Sequence, residues 1–122
     1  MTQQYPRSMT EEEVLAIRNS IMLPMLLDVC RNNLEKLEFS GLTLKKLYTE
    51  STQVLMDHIA RDIKENKQFL REHQIRIIDE NHGQLRYKFI VRGYEDKMVF
   101  FSDYFRAQLS IKLGEYVAGV FK

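Results

Sequence analysis

The chain has 122 residues, of which 44% are hydrophobic and 29% are charged, and its 18 basic residues nearly balance its 17 acidic ones. This composition excludes a disordered chain, and the length predicts a single domain over 1–122. Because the net charge is near zero, the chain as a whole has no positive field that would favour nucleic acid or an anionic membrane.

Residues 1–9 are mostly polar and are expected to form a loose tail. The single Arg7 is not followed by the apolar core of a secretory signal. The most apolar run, 21–27, is far shorter than the ~20 residues that a membrane span requires. We therefore expect a cytoplasmic protein with no membrane partner.

The first helix is predicted to begin at Thr10. Thr10 and Glu13 have the spacing of a capping box, and Ile17 follows at helical spacing. Pro24 lacks a backbone N–H, and its ring clashes with the preceding turn. We therefore expect a break or a sharp kink at Pro24, with a second helix over 24–37.

A third, long helix is predicted over 44–72 because apolar residues recur there at helical spacing. These residues are Leu44, Tyr48, Leu55, Ile59, Ile63 and Leu70. Ser51 and Thr52 favour caps or are β-branched, so two alternatives stay open: one continuous helix or two helices divided near Ser51.

The apolar period then changes from helical to alternating, which predicts strands. We expect strands at 75–79, 85–92 and 97–101, with turns at 81–84 and 93–96. In the second strand the side chains of Arg86, Lys88, Ile90 and Arg92 share one face, opposite an apolar face. The pattern is typical of an antiparallel meander with one buried face.

A final helix is predicted from Ser102 or Asp103 nearly to Phe121. Apolar residues cover most of its circumference, which predicts burial on more than one side. The order of elements predicts an α+β fold: N-terminal helices including one long helix, a small three-stranded antiparallel meander, and a C-terminal apolar helix packed on the sheet.

The final helix carries more apolar surface than a small sheet covers, so we interpret it as a subunit contact, most simply of a homodimer. Gly114 and Ala118 are four residues apart and allow another backbone to approach closely. The predicted interface residues are Tyr104, Ile111, Gly114, Ala118 and Phe121.

The basic face of the second strand supports a nucleic-acid hypothesis. A basic hairpin after helices has the layout of a winged helix, in which wing residues contact phosphates, and a divided long helix would supply a helix-turn-helix. The candidate phosphate contacts are Arg76, Arg86, Lys88 and Arg92. Alternating basic residues are also ordinary on the solvent face of a strand.

Catalytic, cofactor and metal motifs are not evident, so no catalytic residue, cofactor or metal is predicted. His58 and Asp62 lie four residues apart, but short paired ligand spacings typical of zinc are missing. Cys30 lies among apolar residues and is predicted to be a buried, inert thiol.

Three hypotheses on function follow. The first is a small cytoplasmic, non-enzymatic interaction or regulatory module, acting as a homodimer or binding another protein. The second is a winged-helix-like nucleic-acid binder. The third is a small-molecule binder or enzyme with a pocket between sheet and final helix, lined by Tyr87, Phe89, Phe100 and Tyr116.

Overall fold

A computed structural model describes residues 9–41, 43–81, 85–100 and 102–120. The elements in chain order are α1 (Glu11–Glu38), α2 (Lys45–Glu72), β1 (Ile75–Asn81), β2 (Arg86–Val91), β3 (Tyr94–Val99) and α3 (Ser102–Val120). The predicted α+β layout, with a three-stranded antiparallel sheet before a C-terminal helix, is confirmed.

The capping box at the start of α1 is also confirmed. The Glu13 backbone N–H donates to Thr10 Oγ1 at 3.1 Å, and the Thr10 backbone N–H donates to Glu13 Oε1 at 2.9 Å. Two backbone donors that the first turn leaves without helical partners are thereby satisfied.

The break predicted at Pro24 is wrong, because the proline lies inside α1, a single helix of 28 residues; the alternative, a sharp kink, stays a prediction. Buried residues lie on both sides of the proline, including Ile17 before it and Leu26 after it. Pro24 itself lies on the exposed side of the helix. Packing along the whole inner face of α1 therefore overrides the local preference of one residue.

The long second helix is continuous over Lys45–Glu72, which resolves the two alternatives in favour of one helix. It runs past Ser51 without interruption and packs along α1 as a helical hairpin. Leu55, Ile59 and Leu70 are its buried residues. The divided helix that a helix-turn-helix requires is not present in this part of the chain.

The sheet has the order β1-β2-β3, with both neighbouring pairs antiparallel. The turn predicted at 93–96 is wrong: β3 begins at Tyr94, and Arg92 and Gly93 alone connect it to β2. Both connecting residues have positive φ, 49° and 88°. Positive φ at both central positions is the geometry of a type I′ hairpin turn, whose twist matches the strands.

Two apolar clusters form the core. The first lies between the sheet and the helices and contains Ile17, Phe89, Val91, Met98 and Phe105. The second lies between the helices and contains Leu23, Leu26, Cys30 and Ile59, with Leu113 and Tyr116 of α3 packed against it. Helix α3 thus reaches the sheet cluster near its start and the helical cluster further along.

Candidate functional site

The outward face of α3 carries the most regular exposed apolar surface among the described helices. Its residues recur at alternating spacings of three and four, so they form one stripe along the helix. We call this stripe the α3 seam: Tyr104, Ala107, Ile111, Gly114 and Ala118, all exposed. Such spacing is that of a helix surface that pairs with another helix.

The opposite side of α3 faces the core. Phe105 is buried, and Leu109, Leu113 and Tyr116 pack against the core clusters. At 100° per residue these side chains point about 180° away from the α3 seam. The helix therefore has two apolar faces, of which this chain covers one. The prediction that α3 is buried on more than one side is wrong for a single chain, since Phe105 is the one buried residue in its described span.

Gly114 has no role in packing within the chain. A Cβ built at this position meets no atom within 4 Å, leaving aside the helix's own nearby backbone. Four of the five predicted interface residues therefore lie together on the α3 seam, and the fifth, Phe121, lies outside the described residues. Ala107 was missed, although its spacing of three from Tyr104 was visible in the sequence.

The predicted phosphate contacts are only partly brought together. Arg76, Arg86 and Lys88 lie on the outer face of the sheet, because they alternate with residues whose side chains face the sheet cluster or pair across the strands with such alternating residues. Lys88 is occupied by an ion pair, its Nζ lying 2.7 Å from Glu95 Oε1. The hydrogen bond from Lys88 to Glu95 raises the pKa of the lysine.

Arg92 does not belong to this basic face, so its predicted placement there is corrected. The strand ends at Val91, and the positive φ of Arg92 turns its side chain towards the start of α1. Arg92 Nη1 donates to Glu13 Oε2 at 2.7 Å and to the His73 carbonyl at 3.0 Å. The guanidinium therefore joins the hairpin turn, the α2–β1 connection and α1.

Glu13 is the buried charged residue of this contact, with 4% of its surface exposed. Its carboxylate takes part in both the capping box and the ion pair. The hydrogen bond from Arg92 lowers the pKa of Glu13, and burial acts in the opposite direction by raising it. The geometry is that of a structural contact, because the carboxylate is satisfied by groups of the chain itself. The capping box was visible in the sequence, whereas nothing connected it to a residue 79 positions away.

The pocket of the third hypothesis does not form from the four predicted residues. Phe89 is buried in the sheet cluster, and Phe100 forms edge contacts with Tyr87 and Phe105. Tyr116 packs on the helical cluster and donates to Asp62 Oδ2 at 2.6 Å. Burial and this hydrogen bond raise the pKa of Tyr116.

The structure offers a groove of about 900 Å³ elsewhere, and of the four predicted residues Tyr87 alone lines it. It is lined by β1, part of β2, the middle of α1 and the end of α2, and we call it the β1 groove. Its apolar lining includes Ile21, Pro24, Met25, Leu70, Ile75 and Ile77. No described α3 residue lines it.

The other candidate sites offer no catalytic or metal-binding arrangement among the described residues. No group of three or more His, Cys, Asp or Glu side chains suited to a metal ion occurs in the described ranges. Cys30 is buried as predicted, and burial raises the pKa of its thiol; its slow reaction with thiol reagents stays a prediction. No described helix is both long and apolar enough to cross a membrane.

Comparison with known proteins places the chain in a family. The family model described as YhjD protein matches residues 8–121. The uncharacterized protein YhjD of Bacillus subtilis (strain 168) is 27% identical over 112 residues, which cover 90% of this chain and 93% of that protein. No solved structure matches the chain significantly. The match over nearly all of its length shows that the chain belongs to the YhjD protein family.

Proposed function

We propose that this chain is a non-enzymatic interaction module that acts as a homodimer joined through α3. The observation that carries the proposal is the α3 seam, an exposed apolar stripe with the spacing of a helix-pairing surface. Apolar surface removed from water stabilises association by about 25 cal/mol per Å² before the costs of binding.

The small residues of the seam support close pairing of two helices. Ala107, Gly114 and Ala118 present little or no side chain, so a second backbone can approach along them. The large residues of the seam are Tyr104, which precedes these three, and Ile111, which lies between Ala107 and Gly114; they would fill the spaces that small residues of the other copy leave. A twofold axis makes the same stripe complementary to itself.

Another exposed apolar surface lies at the far end of the α1–α2 hairpin and offers a matched control. There Leu47 has 56% of its surface exposed, against 55% for Ile111 of the seam. A glutamate at either position adds the same charge to an equally exposed aliphatic site on a helix.

Sedimentation equilibrium on the native chain, Ile111→Glu and Leu47→Glu tests the proposal. We expect the native chain and Leu47→Glu to be dimers at tens of micromolar protein and Ile111→Glu to be a monomer. A monomeric native chain at that concentration contradicts the proposal. A dimer that Leu47→Glu disrupts and Ile111→Glu does not would place the interface at the end of the hairpin instead.

A further inference from the structure

We propose that the β1 groove is a second binding site, which takes an extended acidic segment of a partner protein as an added strand beside β1. The first support is the position of β1 in the sheet. With the order β1-β2-β3, β1 pairs with β2 along one edge, and its other edge has no strand partner among the residues described. An unpaired edge presents backbone donors and acceptors that an extended chain can satisfy.

The lining of the groove places it alongside β1. Side chains alternate between the two faces of a strand, so a cavity on one face touches every second residue. The β1 groove touches the consecutive residues Ile75, Arg76 and Ile77. The groove is therefore not confined to one face of β1, and it also takes in Tyr87 and Ile90 of β2.

The wall opposite β1 is apolar. Ile21 and Met25 of α1 and Leu70 of α2 line it, together with Pro24. In strand addition the main-chain hydrogen bonds supply affinity and pockets for alternate side chains supply specificity. This wall fits every second side chain of the added strand when those side chains are apolar.

The positive charges that line the groove favour acidic residues at the remaining positions of the added strand. Lys67, Arg71 and Arg76 line the groove, are exposed, and have no ion-pair partner within the part of the chain that the structure describes. Lys67 and Arg71 are four residues apart on α2 and so lie side by side.

The acidic residues of the groove do not neutralise these cations. Asp28 lies 3.5 Å from Arg31, and Asp79 has an interaction of its own. The remaining cation of the lining, Arg92, is held by Glu13. Three free positive charges beside an apolar wall are complementary to an extended peptide in which acidic and apolar residues alternate. The apolar wall and the strand edge favour such a peptide over nucleic acid.

A peptide array followed by anisotropy titration tests this inference. The array holds extended peptides in which valine alternates with glutamate, with glutamine or with lysine. We expect binding by the glutamate series alone, and we expect the same peptides with alternate backbone nitrogens methylated to lose it, because methylation removes the donors that pair with a strand edge. Binding of the lysine series, or no binding by any series, contradicts the proposal.

Charge variants locate the site. The triple variant Lys67→Gln, Arg71→Gln, Arg76→Gln should weaken binding of the glutamate peptide about tenfold, as expected for three surface contacts. The matched triple variant Lys36→Gln, Lys46→Gln, Arg106→Gln removes the same charge from exposed positions outside the groove and should change binding less than about twofold. Equal losses in both variants would overturn the assignment to the groove.

Hydrogen exchange supplies a measurement that a purely electrostatic contact would not change. The bound glutamate peptide should slow exchange of backbone amides in β1, and protection confined to other elements would overturn strand addition. If a single-stranded oligonucleotide binds instead, and the triple variant weakens that binding, the occupant of the groove is nucleic acid and the peptide proposal is overturned. Because no described α3 residue lines the groove, Ile111→Glu should bind the peptide normally, so failure of the dimer and failure of this site are distinguishable.

Discussion

Helices α1 and α3 are both rich in apolar residues, but the chain covers them very differently. Eight residues of α1 are buried, on both sides of a proline, because α2 packs along its length and the sheet cluster takes in four of them. In the described span of α3 one residue, Phe105, is buried, although its sequence is the more apolar of the two. The comparison shows that burial depends on which partner element an apolar face meets. An apolar face that meets no partner element in its own chain is available to another chain.

The sharpest test of this difference is the same substitution in both helices. Ile17 of α1 has 1% of its surface exposed and Ile111 of α3 has 55%. We expect Ile17→Ala to lower the free energy of unfolding by about 3 kcal/mol, because it leaves a cavity in the sheet cluster. Ile111→Ala should change it by less than about 0.5 kcal/mol at low protein concentration. Urea denaturation followed by circular dichroism measures both.

Protein concentration then separates the two explanations of the exposed seam. In a homodimer joined through α3, stability rises with protein concentration, and Ile111→Ala should reduce that rise. Equal losses for both substitutions at low concentration would mean that Ile111 is covered within the chain, which contradicts the contrast between the helices.

A second test concerns the charged contact that fixes the start of α1. Glu13→Gln removes the negative charge that Arg92 needs, and we expect a loss of about 2 kcal/mol in the free energy of unfolding. The partial exposure of Arg92 keeps the loss below that of a fully buried pair. Glu12→Gln, next in sequence and exposed, is the matched control and should cost less than about 0.5 kcal/mol. A similar loss in both variants would assign the effect to the helix dipole.

The pH dependence of the same contact has a definite sign. The pKa of Glu13 is lower in the folded chain than the ordinary value of 4.5 that it regains on unfolding. Its contribution is therefore present above pH 4.5 and is lost as the pH falls from there through the folded value. We expect the difference in stability between the native chain and Glu13→Gln to shrink over that range in acid denaturation. A difference that grows on acidification contradicts the ion pair.

The smallest expected effects come from one substitution at two glycines. A Cβ at Gly114 or at Gly93 meets nothing within 4 Å, so neither alanine clashes. In the helix, Gly114→Ala should raise the free energy of unfolding by about 1 kcal/mol at low concentration, because alanine favours helix. In the turn, Gly93→Ala should lower it by about 1 kcal/mol, because φ is 88°. Thermal unfolding of both variants checks the opposite signs.

The sequence predicts those features that depend on neighbouring residues. The capping box of Thr10 and Glu13, the change of period after residue 74 and the stripe on α3 all lie within a few positions along the chain. The continuity of α1 through Pro24 was not predictable in this way, because it depends on packing against α2. The hairpin turn was missed because Arg92-Gly93 differs from the Asn-Gly and Asp-Gly pairs that usually signal a type I′ turn.

The candidate sites divide in the same manner. The α3 seam follows from the helical spacing of Tyr104, Ile111 and Ala118, and four of its five residues were predicted. The β1 groove combines residues of four elements, so no local pattern indicates it. Arg92 shows most clearly what a local pattern cannot predict. The alternation of side chains along a strand puts it on the same face as Lys88, whereas its backbone φ of 49° directs its side chain away from that face.

The bond between Glu13 and Arg92 has a consequence for synthesis of the chain. It joins positions 79 apart, and a ribosome delivers the N-terminal partner long before the other. The two helices of the hairpin can meet while the chain is still growing, since they are neighbours in sequence. The Glu13 carboxylate meanwhile lacks its guanidinium until the turn between β2 and β3 has emerged. The nascent chain therefore holds its first helix without this ion pair, and the strands that emerge later fix its beginning.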